Sequence, residues 1–408
     1  MESAHIGASY LLAKSKRQFY IASALASAWF ATGNWLFFWR LYLTNGRIGI
    51  VDSICFLAGM LAEIPTGAIA DKIGRRRIMI IGVVLMGIGY GGMGLAPNGA
   101  TILVTYLIYS VGSSFYSGAD DALMYDYLRS NDDADEWEMI ARRKQIITRV
   151  SAMLAVFIGG YLYIFNVRLP SIARGVFFLL ILIPLIKMKF MDSAQPSSAR
   201  EATTGYFEHI WVGMKELLNR KMLPVVLIVL FIQGISVTMF IGGILRPLML
   251  ERTGLPIADH ATYLAIVSVA AIIILLHKNR KSAKPAPLYR QAILYSVLIA
   301  VGFALNLPTR SLAGGLLGIA FIHIGTYLLV PATSALINLS ASSKHRATVL
   351  STANLVEDIP YIIASPLIGL AADNNQLSLV VRVVLFTMIS AIGLSLVLHK
   401  RLKQPATN

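Results

Sequence analysis

The chain has 408 residues, of which 56% are hydrophobic and 14% charged, with a mean hydropathy of +0.66. A soluble protein carries about 25% charged residues, so this composition excludes a soluble globular domain and indicates a polytopic membrane protein. Cys55 is the only cysteine, which excludes an intrachain disulfide and a cysteine-based metal cluster.

A membrane-spanning helix needs about 20 mainly apolar residues. Twelve runs meet that need, at residues 19–43, 48–70, 78–96, 101–126, 143–165, 171–191, 222–250, 258–277, 288–307, 311–338, 346–371 and 377–399. The first is too long for the apolar region of a signal peptide, so no cleavable leader is expected. The loops alternate sharply in charge. With the amino terminus inside, 27 Lys and Arg fall in the tails and inside loops. Only 4 (Arg47, Arg168, Arg252 and Arg310) fall outside. That asymmetry places both termini in the cytoplasm. It also accounts for the net charge of +15 without a nucleic-acid partner.

Charge inside a span is costly and marks a functional hypothesis. Span 1 carries Asn34 and Arg40 among the aromatic residues Trp35, Phe38 and Trp39. Arg40 either snorkels to the surface or faces a cavity and attracts an anionic group. Span 2 carries Glu63, followed by Pro65, one turn before Gly67. An inner-gate role and a structural hydrogen bond to a neighbouring helix are both open for it. The turn between spans 2 and 3 reads Gly67-Ala-Ile-Ala-Asp71-Lys72-Ile-Gly74-Arg75-Arg76-Arg77. Gly67 lets another helix approach closely, Asp71 is placed to cap a helix start, and Gly74 permits a sharp reversal.

This turn resembles the loop signature of the major facilitator superfamily, Gly-x-x-x-Asp-Arg/Lys-x-Gly-Arg-Arg/Lys between helices 2 and 3. Gly67, Asp71, Lys72, Gly74, Arg75 and Arg76 all fall on pattern positions, between the correct two spans. The resemblance implies an all-α membrane protein of twelve transmembrane helices in two six-helix bundles. A pseudo-two-fold axis relates the bundles, and a central site is reached from each side in turn. It further implies that Asp126, at the inner end of span 4, is the acidic partner of Arg75 in a lock on the outward-facing state.

The remaining spans add acids and polar groups. Span 4 carries Asp120 and Asp121, about 100° apart on a helix. Span 5 keeps Gly159-Gly160 but lacks the Gly-Pro pair associated with drug–proton antiporters of the superfamily. The interruption at 192–221 opens with a flexible composition and continues from Tyr206 with apolar residues at helical spacing, which predicts an amphipathic surface helix. The expected division is therefore 1–191, a cytoplasmic linker at 192–221, and 222–408. Gln233 in span 7 and His323 in span 10 lie at mid-span depth. Arg246 and Arg382, near outer span ends, carry the same ambiguity as Arg40. The 8–9 loop keeps the positive charge of its 2–3 counterpart but not its Gly and Asp. Span 11 carries Asn354, Glu357 and Asp358 near the midplane, where burial and mutual repulsion raise a carboxylate pKa.

These features point to a secondary active transporter of a small organic solute, driven by protons, working as a monomer in the inner (plasma) membrane. Glu63, Asp120, Asp121, Glu357 and Asp358 are the proton-coupling candidates. Asn34, Arg40, Gln233, His323 and Asn354 are the candidates for lining the solute cavity. Gly67, Asp71, Gly74, Arg75 and Asp126 are the gating set. No nucleotide-binding loop, HExxH or GxSxG motif is present, so no enzyme activity, cofactor or metal is expected. The generic loop signature leans the direction slightly to export of a drug or metabolite. Uptake of a nutrient such as a siderophore or amino acid is the alternative, and a transporter-like sensor or scaffold is the alternative without flux.

Overall fold

The computed structural model describes residues 2–117, 119–131, 133–188, 211–278, 285–307, 311–342 and 346–403, and no strand occurs among them. The helices are α1 (Glu2–Ala26), α2 (Trp35–Trp39), α3 (Asn45–Ile73), α4 (Arg75–Leu95), α5 (Gly99–Tyr116), α6 (Ala119–Ser130), α7 (Trp137–Phe165), α8 (Leu169–Leu180) and α9 (Leu182–Lys187). They continue as α10 (Leu223–Leu227), α11 (Ile228–Gly242, π-type), α12 (Leu245–Thr253), α13 (Ile257–Lys278), α14 (Pro285–Leu305), α15 (Leu312–Ser340), α16 (Arg346–Asp373) and α17 (Leu377–Lys403). Residues 211–217 are also helical; the rest of the expected amphipathic helix and the start of the linker lie outside the described residues.

Among the described residues, ten helical stretches are long and apolar enough to cross a membrane. They match ten of the twelve expected runs. The other two are present but broken: 19–43 divides into the end of α1 and the short α2, and 101–126 into α5 and α6. Large apolar side chains such as Phe165, Ile363 and Phe386 stay exposed. In water such surfaces would drive association, whereas in a bilayer they are the solvated face.

The chain forms two compact units. One is Met1–Trp39 with Cys55–Tyr206, and the other is Arg40–Ile54 with Phe207–Asn408. In the first unit α4 packs on α5 and α8. A Cβ at Gly175 of α8 would lie 2.4 Å from the Gly91 nitrogen of α4, so only glycine permits that approach. In the second unit α14 and α15 meet the same way, where a Cβ at Gly302 would lie 2.6 Å from the Gly318 carbonyl oxygen. Small residues set these contacts because lipid supplies no hydrophobic drive between helices.

Candidate functional site

In the first unit, the first expected span is interrupted between Ala26 and Trp35, near its middle. Helix ends strand backbone carbonyls, and a buried stranded carbonyl must find a donor. Ser151 Oγ of α7 donates to the Ala24 carbonyl at 2.6 Å. Arg174 of α8 donates to the Leu25 carbonyl at 3.3 Å and to the Ala26 carbonyl at 2.7 Å. The Arg174 guanidinium also lies 4.2 Å from the Trp29 ring centroid and 3.8 Å from that of Phe178. Asn34 Nδ2 donates to the Gly159 carbonyl at 3.3 Å. Trp29 and Phe178 belong to a cluster with Tyr90 and Tyr109, packed edge-on or tilted.

At the Arg75 end of the same unit, Gly74 adopts φ 92°, a backbone state open to glycine without steric cost. It separates α3 from α4 and starts the helix that carries Arg75. Arg75 Nη1 donates to Asp126 Oδ2 of α6 at 2.6 Å, a half-exposed pair worth at most about 1 kcal/mol. Arg76 donates to the carbonyls of Leu185 and Ile186 at 3.1 and 2.9 Å. The surroundings of Gly67 and the side chain of Asp71 lie outside the described residues. Asp120 and Asp121, expected to face apart, share one cation: Lys144 Nζ donates to them at 2.6 and 2.7 Å. Glu63 is half-buried on α3.

In the second unit Glu357 is buried on α16. Gln233 Nε2 of α11 donates to its Oε2 at 2.6 Å, and Thr333 Oγ1 of α15 donates to Gln233 Oε1 at 2.6 Å. Asp358 accepts from Thr238 Oγ1 of α11 at 3.2 Å instead. The two adjacent acids thus have separate partners one π-helical turn apart. His323 is buried on α15, bonded through Nε2 to Ser268 Oγ of α13 at 3.1 Å and stacked on Tyr327. Arg246 is buried as well, rather than snorkelling to a surface; it lies within electrostatic reach of Tyr327 and His323. Asn354 is exposed. Arg40 pairs with Glu251 at 2.6 Å and with Asn45 Oδ1 at 2.7 Å. Arg40 and Glu251 line an open cavity of about 690 Å³ with Arg252 and Asn375.

The seventh expected span is interrupted too, at Gly243–Ile244 between α11 and α12. The Ile244 N–H donates to the Tyr361 hydroxyl at 3.1 Å, and that hydroxyl donates to the Asp52 carboxylate. A Cβ at Gly243 would lie 2.5 Å from the Tyr361 ring. Residues 45–53 run along α16: Asp373 accepts from the Asn45 and Gly46 N–H groups at 3.0 and 2.8 Å, and Ser53 Oγ donates to the Ile362 carbonyl at 2.7 Å.

Sequence reasoning passes over Arg174 and Asp52, though the rule that singles out Glu63 covers both: each is a charge inside an apolar span. Lys144, at the inner start of the run 143–165, is one of the 27 inside Lys and Arg and carries no sign of its two acids, and nothing in the sequence signals Tyr361. Interrupted spans at corresponding places in two halves are the recognised pointer to a transporter binding site, because unwound backbone offers polar groups at membrane depth. Spans 1 and 7 hold corresponding places. Among the described residues no three His, Cys, Asp or Glu gather to hold a metal ion.

A family model of the Major Facilitator Superfamily matches residues 18–365. The chain belongs to that superfamily of membrane transporters and is not an enzyme. It is 29% identical over 136 residues to the uncharacterized MFS-type transporter YwoD of Bacillus subtilis (strain 168), across 33% of this chain and 30% of that protein. It is 22% identical over 216 residues to the uncharacterized MFS-type transporter YxaM of the same strain, across 52% of this chain and 53% of that protein. The aligned stretches therefore span about half of these relatives or less. The fold is similar to a mutant form of the nucleoside transporter NupG (TM-score 0.70, 13% identity, 95% of this chain and 99% of that one). It is also similar to a bacterial homolog of the human lysosomal transporter Spinster (TM-score 0.65, 15% identity, 96% and 97%). A structure described as giving insight into substrate recognition in proton-dependent oligopeptide transporters matches at TM-score 0.66, 13% identity, 95% and 99%.

Proposed function

We propose that this chain is a secondary active transporter that moves a small organic solute across the inner (plasma) membrane by alternating access, with protons as the coupling ion. The observation that carries proton coupling is the buried Glu357 held by Gln233, with Thr333 behind it. A carboxylate at membrane depth is costly to ionise unless hydrated or paired. A cycle that changes its hydration and its bond to Gln233 changes its proton affinity, and that difference is the coupling energy. Asp358 on Thr238 is the second group of the pair; Glu63 and the Lys144-bound Asp120 and Asp121 are the further proton candidates. The Arg75–Asp126 pair, with Gly67, Asp71 and Gly74, serves as the cytoplasmic gate. Asn34, Gln233 and His323 lie in or beside the two interrupted spans and line the solute path, with Asn354 and Arg40 toward its ends. The generic loop signature favours export, and uptake is the competing direction. Both termini and the 192–221 segment lie in the cytoplasm, and the protein works as a monomer.

Purified protein is first screened by thermal shift against metabolite and drug libraries, and the hit is followed in proteoliposomes. The double variant Glu357→Gln, Asp358→Asn should lose proton-driven accumulation and retain exchange of the solute. Normal accumulation by that variant would make both acids structural and move the coupling group to span 2 or 4. In the same vesicles Arg75→Ala should cut flux without reducing insertion. For the topology, a cysteine at position 195 on a Cys55-free background should resist an impermeant label in intact cells; ready labelling would reverse the orientation.

A further inference from the structure

We propose that Arg174 is a positioning residue that holds the first span unwound over Ser27–Asn34, and that this segment switches between the broken form and a continuous helix. The inference rests on reading the break as part of the solute path. Residues 19–43 contain no proline, and the weak helix formers Gly33 and Asn34 come only at the far end of the break. At its near end Ser27 Oγ bonds back to the Ser23 carbonyl at 2.8 Å, which bends a helix without ending it.

The carbonyl partners show what does. In an uninterrupted helix the carbonyls of Ala24, Leu25 and Ala26 accept from the N–H groups of Ala28, Trp29 and Phe30, four residues on. Here none of the three keeps that fourth-residue donor: the Ala24 and Leu25 carbonyls accept from the N–H groups three residues on, Ser27 at 3.2 Å and Ala28 at 3.3 Å, and in addition from Ser151 Oγ and Arg174 Nη1, while the Ala26 carbonyl accepts from Arg174 Nη2. The N–H groups of Ala28, Trp29 and Phe30 make shorter-range bonds, Ala28 to the Leu25 carbonyl at 3.3 Å, Trp29 to the Ser27 carbonyl at 3.0 Å and Phe30 to the Ala28 carbonyl at 3.2 Å. Two sets of donors thus compete for one set of acceptors. That competition defines two discrete states of the same segment.

The charge of Arg174 biases the choice. Its side chain is only 1% exposed. None of the ion pairs among the described residues includes it. Its compensation consists of two carbonyls at a helix C-terminus, where the macrodipole favours a cation, and the faces of Trp29 and Phe178. If the helix rewinds, the two carbonyls return to backbone donors and a buried cation loses its hydrogen bonds. Rewinding is therefore opposed for as long as the guanidinium is present. The far side is pinned separately, by Asn34 on the Gly159 carbonyl and by Gly159 itself, where a Cβ would lie 1.8 Å from the Phe30 carbonyl oxygen.

The test is hydrogen–deuterium exchange of the full chain in lipid nanodiscs, without solute. In Arg174→Met, peptides covering 27–34 should exchange about tenfold more slowly than in the unaltered protein, because the amides of Ala28, Trp29 and Phe30 re-enter helical bonds. Peptides of α15 should be unchanged. A residue that merely braces the bundle would give faster exchange on removal, so the direction decides. Unchanged or faster exchange at 27–34, with the rest of the chain native, overturns the proposal. Should Arg174→Met fail to fold, Ser151→Ala removes one competing donor and should slow the same peptides about twofold; no slowing there overturns it equally. The measurement uses no solute, so it stands or falls apart from the transport reading.

Discussion

Spans 1 and 7 open the two halves of the chain and both are interrupted, span 1 near its middle and span 7 toward its outer end, but the interruptions are built by opposite means. The break in span 7 is local. Gly242 and Gly243 supply it, a single hydroxyl, Tyr361, accepts the Ile244 N–H beyond it, and the Tyr361 ring fills the space a side chain at 243 would need. The break in span 1 is imposed from outside. Its carbonyls are claimed by Ser151, its end by Arg174, and its exit by Asn34 against Gly159, so two neighbouring helices share the work. One break presents a buried acid and hydroxyl, Asp52 and Tyr361; the other presents a buried cation in an aromatic setting. The difference teaches that a shared architecture does not require a shared local code. An unwound segment needs every stranded backbone group satisfied, and either glycine geometry or a set of side-chain donors meets that need.

The contrast predicts that single substitutions cost more at the local break than at the distributed one. Gly243→Leu should have the largest effect, about 3 kcal/mol or more, since its side chain would enter the Tyr361 ring and no flexible neighbour gives way. It should appear as a loss of monodisperse, thermally stable protein in detergent. Tyr361→Phe should follow, at about 1–3 kcal/mol, because the Ile244 N–H and the Asp52 carboxylate each lose the hydroxyl while staying buried; chemical unfolding of the purified protein reads it. Asn34→Ala should be smallest, about 1 kcal/mol, because Ser151 and Arg174 still hold the carbonyls upstream. A cost for Asn34→Ala equal to that of Gly243→Leu would erase the distinction between the two breaks.

Particular residues show how far the sequence carried and where it stopped. The loop from Gly67 to Arg77 named the superfamily, and Gly74 sits in the left-handed region where only glycine is unstrained. The Arg75–Asp126 pair came from the resemblance rather than from spacing, since the two residues are 51 positions apart. Asp120 and Asp121 were legible as membrane-depth acids, but their common partner Lys144, on the next helix, was not. Glu357 and Asp358 read as a coupled neighbouring pair; the fold gives each its own donor on α11, because the π-type helix sets Gln233 and Thr238 five residues apart against them.

Apolar run length, the side bias of Lys and Arg, and one loop motif are properties of consecutive residues. They sufficed for the membrane class, the helix count and the family, because the bilayer imposes length and hydropathy on each span separately. Which spans break, and which buried charges are compensated, depends on donors and acceptors from helices far apart in the chain. Residues 19–43 hold no proline, and the Ser27 hydroxyl only bends the helix there; Arg174 and Ser151 reach the carbonyls of Ala24, Leu25 and Ala26 only after α7 and α8 pack beside α1.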